Sequence, residues 1–121
     1  MTQTGKDLLL KDLCGRLPYF VKVQIKNEIV VLNSICDDEG YHFNFIGDDR
    51  EGVNIEEIKP YLLPLSSMTE EQKSQYSFFL TRIIDGYDAS LLTDWFNKNH
   101  FDYRGLIPMG LANDATDKNI Y

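Results

Sequence analysis

The spacing of apolar residues changes near Pro64, and this change restricts the chain to folds that join a sheet to helices. Before that point apolar and polar residues alternate, as in residues 21–25, which is typical of a half-buried strand. Beyond it, residues 76–84 carry apolar side chains at steps of three and four, as an amphipathic helix does. The sequence therefore predicts an α+β fold, in which a small antiparallel sheet is followed by two packed helices.

A further helix is expected before the sheet. Leu9, Leu13 and Leu17 share one helical face, and Pro18 ends the pattern. The length of 121 residues suits a single domain. We divide that domain into a helix over residues 5–17, a β-meander or half-barrel over residues 20–58, a helical part over residues 67–112 and a frayed tail over residues 113–121.

Three or four strands are expected in the meander, and residues 53–58 are the candidate for a short fourth strand. The polar segments 37–40 and 47–52 contain glycine and predict turns between strands. Because these connections are short, successive strands are expected to pair with one another.

The two C-terminal helices have recognisable boundaries. Ser67 and Glu70 form a capping-box pattern at the start of the first helix, residues 85–87 predict its end, and Ser90 is a candidate cap for the second. We expect the inner faces of both helices to be largely buried, and these faces comprise Phe79, Leu80, Ile83, Leu92, Trp95 and Phe96.

The charge balance is acidic, with 19 Asp and Glu against 12 Lys and Arg and a net charge of -7. With no basic patch, such a surface repels phosphate backbones and anionic membranes, so neither nucleic acid nor a membrane is an expected partner. The acids fall in short clusters, at residues 37–39, 48–51, 56–57 and 70–71. They are interpreted as solvated loops and a helix start, or alternatively as a face that mimics DNA.

No targeting leader opens the chain, and no apolar run approaches the roughly 20 residues that span a bilayer. Cys14 and Cys36 have no partner pattern, so both are expected to be free thiols in a reducing cytoplasm. The two cysteines and two histidines lack metal-ligand spacing, and we expect no metal or cofactor. No nucleophile motif is present, although a pair of carboxylates among the 19 acids stays open as a catalytic possibility.

The densest group of chemically versatile residues lies at 94–105, which holds Trp95, His100, Tyr103 and Arg104. At a helix end such residues can offer stacking faces and hydrogen-bond donors to a ligand. The alternative is structural: the aromatic residues belong to the core, and Asp102 pairs locally with Arg104.

Three stretches together resemble a family of short proteins of gut Bacteroides-type bacteria and their phages, a family with no assigned activity. They read KDLCGRLPY at 11–19, KPYLLPLSSMTEE at 59–71 and DWFNKNHFDYRGLI at 94–107. The resemblance implies a cytoplasmic accessory protein of a phage or mobile element, which binds a host protein or sequesters a small ligand. The chain departs from the family at Phe20, where Gly is commoner, at Leu63, where Arg is commoner, and at residues 108–109, where charged residues are commoner.

Three functional hypotheses follow. The first is a non-enzymatic protein that binds a host protein. The second is a protein that binds or sequesters a small anionic, nucleotide-like ligand. The third is an enzyme that uses His100 with Asp94 or Asp102. The second hypothesis places these residues around one pocket: Arg16, Tyr19, Tyr61, His100, Tyr103 and Arg104.

Arg104 is the sharpest single test of these hypotheses. Its guanidinium can hold a carboxylate or phosphate through two parallel bonds. We therefore predict that Arg104 lines a pocket or forms a buried ion pair with an acid such as Asp94 or Asp102. The sequence predicts no oligomeric state.

Overall fold

The computed structural model describes residues 1–86 and 88–121. An N-terminal helix, a mostly antiparallel sheet and two further helices follow one another, so the predicted α+β class is confirmed. The helices are α1 (Gln3–Arg16), α2 (Glu70–Ile84) and α3 (Ser90–Lys98). The strands are β1 (Lys22–Ile25), β2 (Glu28–Asp37), β3 (Tyr41–Phe45), β4 (Lys59–Leu62) and β5 (Asn113–Asp114).

Among the described residues, the five strands form one sheet in the order β3-β2-β1-β4-β5. The first three strands pair antiparallel as a meander, as expected. The fourth strand differs from the prediction in place and in partner. Residues 53–58 hold only the 3₁₀ turn Ile55–Glu57, and β4 follows it and pairs antiparallel with β1 instead of β3.

The segment after residue 112 is tied to the sheet, whereas the sequence predicts a frayed tail. β5 runs parallel to β4, with Tyr61 opposite Asn113. The Asn113 side-chain amide donates to the Gln24 side chain at 2.8 Å, and the backbone N–H of Ala115 donates to the Leu62 carbonyl at 2.8 Å. These bonds extend the sheet at its β4 edge, which explains why the polar composition of the tail is misleading.

The core has two centres. The larger one lies between α1 and the sheet and includes Leu9, Leu13, Val23, Leu32 and Leu62. The smaller one lies below α3 and is formed by Met68, Phe96 and Phe101. Neither centre contains a residue of α2, because none of the described residues of that helix is buried.

The expected burial of the two C-terminal helices is wrong for Leu80, which is 39% exposed. Phe96 is buried, and the other four residues of that expectation are partly buried: Phe79, Ile83, Leu92 and Trp95. The capping expectations also shift: Thr69 caps α2, and the Asp88 side chain accepts from the Ser90 N–H at the start of α3. Asp85 ends α2, whereas Tyr87, the last residue of the expected 85–87 helix end, lies outside the described residues. No described helix is both long and apolar enough to cross a membrane.

Candidate functional site

Four of the six expected site residues come from two elements that meet beside the sheet. Arg16 is the last residue of α1, and His100, Tyr103 and Arg104 lie in the segment that follows α3. The segment is held against β4, because the Leu63 N–H donates to the His100 carbonyl and the Asp102 N–H donates to the Leu63 carbonyl, each at 2.8 Å. This pairing brings the C-terminal motif to the end of α1.

At the centre of this cluster lies Asp12, which is fully buried. Its carboxylate accepts from Arg16 Nε at 2.7 Å and Nη2 at 3.1 Å, and from Arg104 Nε at 3.1 Å. Arg16 is also fully buried and donates to the Phe101 carbonyl at 2.6 Å. Arg104 therefore forms the buried ion pair that the sequence allows, but its acid is Asp12 and neither Asp94 nor Asp102.

Tyr103 contacts both guanidinium groups. The Arg16 guanidinium carbon is 5.4 Å from the centre of the Tyr103 ring, and that of Arg104 is 4.8 Å from it. The Tyr103 hydroxyl accepts from Arg104 Nη2 at 2.9 Å, and the ring stacks on Phe96 at 5.1 Å. These contacts join α1 to α3 through charge and aromatic packing.

Asp102 and Asp94 have other roles than the sequence suggests. The buried Asp102 carboxylate accepts from the N–H groups of Leu106 and Ile107 at 2.8 and 2.9 Å, which fixes the turn after Arg104. Asp94 is exposed on α3. Among the described residues, the buried Nδ1 of His100 has no hydrogen-bond partner, so neither acid forms the histidine–aspartate pair of the enzyme hypothesis.

His100 is covered by Tyr121. The two rings stack with their centres 3.6 Å apart and their planes within 10°. Burial, together with the positive charges of Arg16 and Lys22, lowers the pKa of His100 to about 4. Burial raises the pKa of Tyr121 to about 12, although 43% of the residue is exposed, because its hydroxyl lies between β1 and β4.

The remaining two expected residues lie at the margin of this cluster. Tyr61 is a buried residue of β4, and its backbone carbonyl accepts from the Tyr121 hydroxyl at 2.9 Å. Tyr19 lies half-buried in the 3₁₀ turn Leu17–Tyr19 that follows Arg16. It is not among the residues that bond to Asp12 or to Tyr121.

A second candidate site was not anticipated from the sequence. A groove of about 570 Å³ separates the exposed side of α2 from the end of α3, and its residues are Ser74, Gln75, Phe78, Phe79, Trp95, Lys98 and Asn99. Trp95 Nε1 donates to the Gln75 side chain at 3.1 Å, which fixes the indole at the groove wall. Phe78 is 56% exposed although Arg82 lies over its ring at 4.8 Å.

The sequence of α2 contains a feature that could have predicted this groove: its apolar residues cover more of the helix than one face. Phe78 and Phe79 are adjacent and so point to different sides of the helix, and Leu80 and Ile84, four residues apart, form a third apolar row. A single neighbouring helix cannot cover so wide an arc. The excess apolar surface remains exposed, with Ile84 exposed by 85%.

The acidic clusters and the cysteines provide little for chemistry. Asp48 and Glu28 pair with Arg50, and Glu56 pairs with Lys6, so these acids are partly neutralised by neighbours. In the described part of the chain, no group of three or more potential ligands is placed to hold a metal ion. Partial burial raises the pKa of Cys14, which disfavours the thiolate that a nucleophile requires.

Comparison with known proteins adds no assignment. No protein-family model, no curated protein and no solved structure matches this chain.

Proposed function

We propose that this chain is a non-enzymatic binding protein whose α2–α3 groove takes an amphipathic helix of another protein. The observation that carries the proposal is the groove between α2 and α3, whose apolar lining is Phe78, Phe79 and Trp95. Phe78 is 56% exposed, and an open apolar groove rimmed by polar residues is typical of interaction sites. A groove between two helices suits the binding mode in which a partner helix inserts its apolar face.

Aromatic residues that can anchor a bound helix line the groove. Phe78 and Trp95 lie on its two sides, and aromatic residues dominate the energetics of protein interfaces. Leu91 precedes Trp95 by four residues, so both lie on the same side of α3, and Leu91 is 52% exposed. The apolar lining therefore continues from the groove along α3.

The charges around α2 select the partner. Glu70 and Glu71 are exposed in the first turn, and Asp85 and Asp88 are exposed beyond the last. A helix of 15 residues is about 22 Å long, so two acidic pairs bracket an apolar centre over that distance. The complementary partner is a helix with aromatic or aliphatic anchors in the middle and Lys or Arg at both ends.

A second copy of the chain fits this surface less well. Each copy carries a net charge of -7, so two copies repel each other, whereas a basic helix is attracted. The family resemblance points to a protein of the host cell as the source of the helix. That origin, together with a cytoplasmic location and a phage or mobile-element context, stays a prediction.

The proposal is tested by selecting binders from a displayed library of 20-residue amphipathic helices. Peptides that bind the wild-type chain are expected to share apolar anchors at helical spacing, with basic residues at both ends. Their dissociation constants should weaken by about tenfold or more for Phe78→Ala, the usual cost of losing an aromatic anchor. The matched control is Ile29→Ala, which removes another exposed apolar side chain, on β2, and should leave binding unchanged.

Three outcomes would contradict the proposal. The first is that selected peptides lack the basic and apolar pattern, and the second is that they bind the Phe78→Ala variant as tightly as the wild type. The third is sedimentation that shows a dimer of the wild-type chain, dissociated by Phe78→Ala, in which case the groove takes a second copy.

A further inference from the structure

The Tyr121 hydroxyl bridges β1 and β4 at a position where the two strands do not bond directly to each other. The ladder pairs Val23 with Pro60, and the next pair along the same register is Lys22 with Tyr61. At that position the Tyr121 hydroxyl lies between the strands, accepting from the Lys22 N–H at 2.8 Å and donating to the Tyr61 carbonyl at 2.9 Å. The opened strand pair thus presents one donor and one acceptor side by side.

His100 forms the floor beneath the Tyr121 ring, and its backbone is unusual. The N–H of His100 donates to the Asn97 carbonyl and that of Phe101 donates to the Phe96 carbonyl, which is the bonding pattern of a Schellman helix end. The residue at this position adopts a left-handed conformation, here with φ of 62°, and it is usually glycine. Histidine, like asparagine, tolerates this conformation better than most side chains, and the helix end places its ring against Tyr121.

The surroundings hold more hydrogen-bonding capacity than Tyr121 uses. Arg16 Nη1 and His100 Nδ1 are buried and have no partner among the described residues. The Lys22 ammonium donates to the Ile120 carbonyl and lies 5.6 Å from the centre of the Tyr121 ring. Arg16 Nη2 donates to the carbonyl of Phe101, the residue after His100, so its guanidinium lies beside this segment.

The local charge is opposite to that of the whole molecule. Two cations lie near this ring: Lys22, whose ammonium is 5.6 Å from the ring centre, and Arg16, whose guanidinium pairs with Asp12. An excess positive charge beneath one aromatic ring, in a chain of net charge -7, favours an anion that carries a planar ring.

We propose that Tyr121 occupies a binding site for a pyrimidine nucleotide and is displaced when the nucleotide binds. A six-membered pyrimidine ring has the size of the phenol and takes its place on His100. The edge of uracil carries an N–H between two carbonyl groups, so it donates to the Tyr61 carbonyl and accepts from the Lys22 N–H. The phosphate draws the Lys22 ammonium away from Ile120 and lies in the positive field of Arg16. This site is independent of the α2–α3 groove proposal.

The test is calorimetric titration of uridine monophosphate into the wild-type chain and into Tyr121→Ala. Removing the competing side chain should tighten binding by about tenfold or more, because an occupied site lowers the apparent affinity in proportion to its free fraction. Uridine should bind Tyr121→Ala more weakly than the monophosphate, and inorganic phosphate alone should not saturate it. Adding His100→Asn should weaken nucleotide binding by about tenfold or more.

The matched control is Tyr41→Ala, which removes an exposed tyrosine from β3 and should bind as the wild type does. The proposal is overturned if Tyr121→Ala is folded, as its circular dichroism would show, yet does not bind uridine monophosphate. Equal affinity for adenosine monophosphate would overturn the assignment to pyrimidines. If Tyr121→Ala does not fold, Tyr121→Phe keeps the ring and loses both strand bonds, and failure of this variant to bind more tightly than the wild type would overturn the proposal.

Discussion

Asp12 is the residue on which the charged cluster depends. It is fully buried and bonds two arginines, so its loss leaves two cations without their acid. We expect Asp12→Asn to lower the free energy of unfolding by about 3–5 kcal/mol, the usual cost of breaking a buried ion pair. Urea denaturation measures the change.

The control for this prediction is Asp7→Asn on the same helix. Asp7 is exposed and accepts only from the Gln3 side chain among the bonds described, so its replacement should change stability by less than about 0.5 kcal/mol. A loss below about 1 kcal/mol for Asp12→Asn would show that the arginines find other partners.

Part of this charged cluster could be predicted from the sequence. Leu9, Asp12, Leu13 and Arg16 follow the three- and four-residue steps of one helical stripe, so two charges on the buried face of α1 were readable from spacing. The acid that pairs with Arg104 was not readable, since Asp12 lies 92 residues away and is brought near only by tertiary packing. A nearby acid such as Asp102 is the expected partner of Arg104, but the Asp102 carboxylate instead accepts from the backbone N–H groups of the following turn.

His100 makes stability depend on pH. Its pKa is about 4 in the folded chain against roughly 6.5 in an unfolded one, so the unfolded state binds the proton more readily. The stability that the neutral His100 ring contributes is fully present above about pH 6.5 and is lost as the pH falls toward 4. His100→Asn, which tolerates the left-handed backbone, should flatten this part of the stability profile.

Urea denaturation between pH 4 and 7 measures this dependence in the wild type and in the variant. His42→Asn, at the exposed second histidine, should keep the slope of the wild type. Parallel profiles for the wild type and His100→Asn would contradict the prediction.

At the scale of elements, the start of α2 shows how a cap is chosen. The predicted cap pairs Ser67 with Glu70, whereas the structure uses Thr69 with Gln72 in a full capping box. Ser67 instead donates to the Pro64 carbonyl within a 3₁₀ turn. Both patterns satisfy the same spacing rule, so only the preceding turn decides between them.

Thr69→Ala should therefore destabilise the chain by about 1 kcal/mol, the usual value of an N-cap side chain. Thermal and urea unfolding measure the loss. Ser66→Ala, an exposed residue of the 3₁₀ turn before the cap, should change stability by less than about 0.5 kcal/mol. Equal effects of the two substitutions would contradict the assignment of the cap.

The order of the strands in the sheet could not be predicted from the sequence. Alternating residues reveal which side of a strand is buried, but they do not identify the neighbouring strand. Pro60 lacks an N–H and so argues against a strand at that position, yet β4 includes it opposite Val23. The three hairpin-linked strands were predictable because short turns determine their pairing.

At the scale of the molecule, stability is distributed unevenly. α1 contributes Leu9 and Leu13 to the larger core, whereas α2 contributes no buried residue. We expect native-state hydrogen exchange to show that the amides of α2 open with a lower free energy than those of β1, because the apolar side chains of α2 are at most partly buried. Exchange measured by NMR at low denaturant concentrations provides the comparison.

α1 is the matched control, since it is a helix of similar length and should exchange with the sheet. The same opening free energy for α2 and β1 would contradict the prediction. It would also show that the groove is held rigidly before any partner arrives.

The bonds of the Tyr121 hydroxyl also impose a sequence of events on folding. The β1–β2 hairpin closes over two residues, whereas Tyr121 and Lys22 lie 99 residues apart. Closing a longer loop costs about 0.6 kcal/mol more for each doubling of its length, so local strand pairs form early and distant ones late. We therefore expect the hairpin to form first during refolding and the contact between Tyr121 and Lys22 to form among the last. For an interval in every refolding event, the strand edge that Tyr121 closes stands open to any small molecule in solution.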